Sequence, residues 1–301
     1  MTQELFPGTV AGTVKVGDAV VGYHDAGEQH DGRPVVLMVH GTGGSVEAHF
    51  FTLFPMLASR GRVIGIDLGD SGDGPLEVDD LVAQVAAVMD ERCPDDAVTL
   101  VGYSMGSCVA AATAAAVPDR VDSLVLLNGW AQTDNAMRLR FDLWHRLYNE
   151  RDLTSFREFM VMNIYGRAFL NAIPYIGPRP WSQVLQMCSD YVAGPSADRH
   201  MAMNSRMDIA DRVVEISCRT LVIACRGDQL VPLEHSYELF GAIAESTLAE
   251  IPGGHASVAE RPAHLFHLID RFLREPEAFK SGSRIGDDVV LQLAALERKP
   301  A

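Results

Sequence analysis

Six short runs of the chain are almost wholly apolar, and each stops at a cluster of turn-forming residues. They fall at 35–39, 62–67, 97–101, 123–127, 220–224 and 246–251. Runs of this length without polar alternation suit strands buried on both faces of a parallel sheet. Between them, residues 46–59, 78–90, 105–117 and 232–244 carry apolar positions at helical spacing. The third of these is Ala-rich and closed by Pro118, and the fourth opens on Pro232, which suits a first helical turn. Such alternation predicts a doubly wound α/β core with reactive groups at the carboxyl ends of the strands. Residues 12–23 read instead as an antiparallel hairpin turning near Gly17-Asp18.

The alternation breaks after Gly129 and resumes near Ser205. The intervening stretch has no clear strand, a helical pattern over 137–148, a Pro-rich kink over 173–180 and all three tryptophans, Trp130, Trp144 and Trp181. The expected organisation is a core made of residues 1–130 and 206–275, a helical cap at 131–205 inserted between strands 6 and 7, and a carboxy-terminal extension at 276–301. Within that extension, residues 287–296 read as a terminal amphipathic helix.

Composition narrows the functional classes. The chain is 301 residues long and 48% apolar, so a full core forms without staples and a disordered chain is excluded. A net charge of −15 repels phosphate backbones and anionic lipid, which argues against nucleic-acid and membrane partners. Five cysteines without a CxxC pair argue against a disulfide framework or zinc ribbon. With no secretory leader visible, a cytoplasmic protein is expected.

The candidate chemistry lies at the strand ends. Gly102-Tyr103-Ser104-Met105-Gly106 falls where a buried strand meets the Ala-rich helix. A sharp turn there lifts the Ser104 hydroxyl clear of the sheet edge, and the new helix aims free N–H groups at the site. A neutral hydroxyl needs a base, and the base needs an acid to hold its tautomer. His255 follows the last predicted strand through Gly253-Gly254, and Asp228 follows the strand before it. Asp134, after the strand preceding that, is the rival acid. His40-Gly41-Thr42-Gly43-Gly44 supplies a Gly-rich turn at the same edge, where the Thr42 and Met105 amides are the candidate oxyanion donors. Candidate walls of the substrate pocket are Gly41, Gly43, Tyr103, Trp130, Trp144, Met160 and Trp181. Cys108 reads as a packed thiol, and His264 with His267 lack further ligands, so no metal site is expected.

These segments, in this order, resemble the α/β-hydrolase superfamily from about residue 20 to residue 272. Leu127-Asn128-Gly129-Trp130, the Arg-rich helix after it and the segment from Gly227 to Pro232 look most like the small capped members, such as enol-lactonases and aminoacrylate hydrolases. The resemblance implies an eight-stranded, mostly parallel sheet, a mobile cap and catalysis without a cofactor. One segment departs from the family. Many relatives carry Asp-x-Arg-Gly-x-Gly after the fourth strand, whereas this chain reads Asp67-Leu68-Gly69-Asp70-Ser71-Gly72-Asp73-Gly74, with no arginine and two further acids.

The expected activity is hydrolysis of an ester, lactone, thioester or activated amide of a small to medium acyl substrate, free or carrier-bound, by a monomer or homodimer. The alternatives are non-hydrolytic chemistry on the same scaffold (acyl transfer, cyclisation, C–C cleavage or lyase chemistry) and a silent ligand-binding member.

Overall fold

The apolar runs become the centre of one nine-stranded sheet in a computed structural model, which describes residues 4–30, 32–70, 74–172, 185–186 and 196–286. The strands are β1 (Val10–Val16), β2 (Ala19–Ala26), β3 (Val35–Val39), β4 (Val63–Asp67), β5 (Val98–Tyr103), β6 (Val121–Leu127), β7 (Arg219–Cys225), β8 (Ser246–Ile251) and β9 (Arg284–Ile285). Their spatial order is β1-β2-β4-β3-β5-β6-β7-β8-β9. The hairpin β1–β2 turns at Gly17-Asp18 and joins the sheet antiparallel through β2 and β4; every later pairing is parallel. Every residue of β3 and β5 is buried, as continuous apolar runs require.

The ninth strand corrects the expectation of eight. It is only two residues long and pairs with β8, extending the sheet into a segment that the hydrophobic pattern places beyond the core. Phe279 is buried just before it, against Phe272.

Helices cover both faces. On one lie α3 (Val78–Arg92) and α4 (Met105–Ala116); on the other lie α1 (Val46–Phe50) and α2 (Leu53–Ala58). The single helix expected over 46–59 is thus two short ones, because Phe51 and Thr52 break the run.

Four helices, α5 (Asn135–Asn149), α6 (Leu153–Ile164), α7 (Arg167–Ala172) and α8 (Ala197–Asn204), are described between β6 and β7, followed by the short α9 (Ala210–Val213). The predicted kink at 173–180, Trp181 and the helix expected at 287–296 lie outside the described residues. After β7 come α10 (Leu233–Ala242), then α11 (Ser257–Glu260) and α12 (Pro262–Arg274). The α12 helix opens on its proline and buries Leu265, Phe266, Leu268, Ile269, Phe272 and Leu273 along one stripe. Each such side chain contributes about 2 kcal/mol of transfer free energy, which holds α12 on the sheet and steadies the turn before it.

Candidate active site

The turn from β5 into α4 puts Ser104 at φ 57°, ψ −125°, a left-handed conformation that a side chain disfavours. The flanking glycines make the turn possible. A Cβ on Gly102 would sit 2.6 Å from the Ser107 Cα, and one on Gly106 would sit 2.8 Å from the Val39 carbonyl carbon. Both are backbone atoms that cannot yield. The Ser104 N–H donates to Leu127 O at 2.9 Å, and the Ser107 hydroxyl donates to Gly102 O at 2.7 Å. The elbow is therefore tied to both strands beneath it.

His255 arrives from β8 through Gly253, whose φ is +134°, and Gly254. The Ser104 hydroxyl donates to His255 Nε2 at 2.8 Å. His255 Nδ1–H donates to Asp228 Oδ2 at 2.7 Å, which fixes the tautomer with Nε2 free to accept. The other Asp228 oxygen accepts the Leu230 and Val231 amides at 2.9 and 2.8 Å. A carboxylate held this way cannot rotate off the imidazole. All three residues are buried. The loop carrying His255 is held from behind: its carbonyl accepts from Tyr103 Oη at 3.0 Å and from Asn128 Nδ2 at 2.8 Å. From the insertion, Ile164 O accepts the Ala256 amide at 2.6 Å.

Asp134 lies elsewhere. It caps α5, accepting the Met137 amide at 2.7 Å, and its second oxygen lies 3.3 Å from His235.

The turn at Gly41–Gly44 has a defined orientation. Gly41 O accepts from His40 Nδ1–H at 2.7 Å and from the Gly44 amide at 3.2 Å. In a trans peptide the carbonyl and the following N–H point in opposite directions, so the Thr42 N–H is turned away from both donors. Among the described residues neither the Thr42 nor the Met105 backbone N–H has a hydrogen-bond partner. The Gly41 amide donates to His49 Nδ1 at 3.0 Å, and the Gly43 amide donates to His200 Nδ1 at 3.1 Å. Burial pushes His40 below the ordinary histidine range, and burial, with repulsion from His40 when that ring is protonated and from the Arg199 cation, takes His200 down to about 3. Both rings are neutral at ordinary pH and serve the turn as hydrogen-bonding groups.

A cavity opens beside Ser104. Tyr103, Trp144, Met160, Ile164, Leu230 and Val258 form much of its wall, with Thr42 and His255 at the reactive end. Three of these come from the insertion, which closes one side. The space open to the centre of a water-sized sphere is about 30 Å³, room for roughly two waters. Of the other proposed walls, Gly41 and Gly43 do not line it, since they form the turn behind Thr42. Trp130 does not line it either: its Nε1–H donates to Thr133 Oγ1 at 2.8 Å and its ring packs on Phe141. Trp181 lies outside the described residues.

Sequence reasoning passed over His49, His200 and Asn204, whose contacts to the turn come from distant or unremarkable positions. Only the spacing of His200 and Asn204, one helical turn apart on α8, pairs two of them. The Cys108 thiol, buried and pushed up to about 12, donates to Trp130 O at 3.1 Å and is no nucleophile. Among the described residues no group of His, Cys, Asp or Glu is placed to hold a metal ion, and no helix is long and apolar enough to cross a membrane.

The departure at residues 67–74 also has a structural counterpart. Arg199 of α8 pairs with Asp70 and donates to Gly74 O at 2.6 Å. A cation absent from the loop itself is thus supplied from the insertion.

Comparison with known proteins agrees with this architecture. The chain is 29% identical over 268 residues to pyrrolizixenacetamide deacetylase of Xenorhabdus hominickii, covering 86% of this chain and 97% of the relative. Its fold matches the enol-lactonase of Burkholderia xenovorans at a TM-score of 0.73, with 19% identity over 88% of this chain and all of the other. It also matches an alpha/beta hydrolase enzyme from a Medee basin deep-sea metagenome library at a TM-score of 0.78, with 17% identity over 88% and 98% of the two chains. The model of the alpha/beta hydrolase fold matches from residue 34 to residue 262, a span that holds the strained serine, its histidine and its aspartate, and the chain belongs to that family of hydrolases.

Proposed function

We propose that the protein is a cofactor-independent serine hydrolase that cleaves a short acyl group from an ester, lactone, thioester or activated amide. One observation carries this reading: the unbroken line of hydrogen bonds from Ser104 through His255 to Asp228, at 2.8 and 2.7 Å. In that line Ser104 Oγ attacks the acyl carbonyl as its proton passes to His255 Nε2. Asp228 stays ionised, holds Nδ1–H and balances the imidazolium charge. The negative oxygen formed at the carbonyl is met by the Thr42 and Met105 N–H groups and by the positive end of α4. His255 then returns the proton to the leaving group, and a water activated by the same imidazole releases the acyl group from Ser104.

The small apolar cavity supports a short acyl portion. The name of the Xenorhabdus relative, a deacetylase, points to the same size.

The test is labelling with a fluorophosphonate together with hydrolysis of 4-nitrophenyl acetate in ¹⁸O water. Native protein should label and release acetate carrying the heavy oxygen, and Ser104→Ala should do neither. Labelling with acetyl transfer to another nucleophile instead of water would favour a transferase. Equal behaviour of native protein and Ser104→Ala would remove the nucleophile from the mechanism.

A further inference from the structure

The amide of Gly43 and the hydroxyl of Thr42, neighbours on the turn beside Ser104, are both held from a single helix of the insertion. His200 Nδ1 accepts the Gly43 N–H at 3.1 Å, across 157 positions of the chain. Asn204 Nδ2 donates to Thr42 Oγ1 at 2.7 Å. The two residues lie one turn apart on α8, so a single helical face meets two consecutive residues of the turn. Both are buried, at 1% and 0% exposure, where water cannot replace a lost partner.

Inside the turn, Gly43 has φ +62° and the Gly44 amide returns to Gly41 O at 3.2 Å, so Thr42 and Gly43 are its two central residues. The plane of their shared peptide is the softest element of such a turn, since the favoured types differ mainly in its rotation. His200 grips that peptide by its N–H. Asn204 grips the side chain of the residue whose own N–H the proposed mechanism assigns to the oxyanion.

The helix making these contacts is itself braced at both ends. At one end, His145 Nε2 and Asp198 Oδ1 are 2.8 Å apart, and Arg199 reaches Asp70 and Gly74 O. At the other, Trp130 Nε1 donates to Thr133 Oγ1 at 2.8 Å, and Thr133 donates in turn to Asn204 O at 2.7 Å.

We infer that His200 and Asn204 are positioning residues for the oxyanion site: they fix the Thr42–Gly43 peptide from the insertion, so that the Thr42 N–H meets the developing charge only while α8 is docked. The inference rests on the serine-hydrolase reading above and deepens it. Removing an oxyanion donor outright typically slows the chemical step by about 10²–10³-fold. A donor left in place but loosened should lose less, roughly 10- to 100-fold.

The test uses the full chain and 4-nitrophenyl acetate, with rates expressed per serine titrated by a fluorophosphonate. Unfolded molecules then drop out of the count. His200→Leu and Asn204→Leu should lower kcat per titrated site about 10-fold or more while KM changes less than about threefold. His200→Asn, whose amide oxygen falls where Nδ1 sits, should recover most of the rate, and His200→Gln, whose oxygen lies one bond further out, should not. Affinity for a trifluoromethyl ketone that mimics the tetrahedral oxyanion should fall in step with kcat/KM. Unchanged kcat per site in the leucine variants, or equal rates for the Asn and Gln variants, would overturn the assignment. If His200→Leu gives no titratable protein, the Asn and Gln pair decides. Failure of the underlying reading looks different, because native protein itself would neither label nor turn over.

Discussion

Ser104 adopts a backbone conformation that regular structure avoids, and its energetic weight can be separated from that of the hydroxyl. Ser104→Ala and Ser104→Gly both delete Oγ and leave His255 Nε2 without its donor. They differ in whether a Cβ must be carried at φ 57°, ψ −125°. Holding a side chain in so sparse a region costs about 1–3 kcal/mol. Glycine escapes that strain but loses roughly 0.5–1 kcal/mol through the greater freedom of its unfolded chain. Taking the middle of each range, the difference leaves Ser104→Gly more stable than Ser104→Ala by about 1 kcal/mol. For a chain of 301 residues that is roughly 2 °C in melting temperature. Urea unfolding and calorimetry measure it directly. Ala115→Gly, within α4, should shift stability in the opposite direction by about 0.5–1 kcal/mol and serves as the control of sign. An alanine variant as stable as the glycine variant would show that the elbow stores no strain.

Other consequences follow from the same geometry. Asp228→Asn should lower kcat by about 10⁴-fold with little loss of stability, because the amide no longer holds the imidazole in the tautomer that accepts from serine; a loss below tenfold in steady-state kinetics would contradict this. Gly106→Ala should destabilise by more than about 2 kcal/mol or prevent folding, since its Cβ would lie 2.5 Å from His40 O, and a native-like denaturation midpoint would argue otherwise. Met160→Ala removes part of the cavity wall, so the ratio of kcat/KM for butyrate over acetate esters should rise at least tenfold, and an unchanged ratio would place the acyl group elsewhere. His200 and His40 are neutral when folded but take up protons when unfolded, so their contribution is complete above about pH 6.5 and falls as pH drops below it. Between pH 7 and pH 5 His200 should account for about 2 kcal/mol of that loss, seen as a shallower pH slope of stability in His200→Asn.

Much of this arrangement is legible in the chain because it is local. Buried strands announce themselves by unbroken apolar runs, and the elbow by two glycines that the backbone contacts of Gly102 and Gly106 make obligatory. The choice between Asp228 and Asp134 is not local. Both follow strands, and only the folded path shows one against His255 and the other spent on a helix cap. The ninth strand is invisible because two residues carry no periodicity and its register is set by β8. Trp130 misleads in the opposite way: a large aromatic after a strand suggests a pocket wall, but its indole N–H is drawn to Thr133 and its ring is spent on packing. His200 and Asn204 act by meeting a turn far from them in sequence, and His49 by folding back on it from the helix just after, and one residue's chemistry does not disclose its neighbours in space.

The hydroxyl and the imidazole that meet at the sheet rim are 151 positions apart in the chain. During synthesis the elbow and the strands beneath it emerge long before β8 is made, and amino-terminal segments tend to fold first. On the proposed mechanism a growing polypeptide therefore carries a serine with no base beside it, and a fragment ending short of His255 should be inert however well its core has formed. The line of hydrogen bonds from Ser104 to Asp228 is complete only once β8 and the turn after it have taken their places.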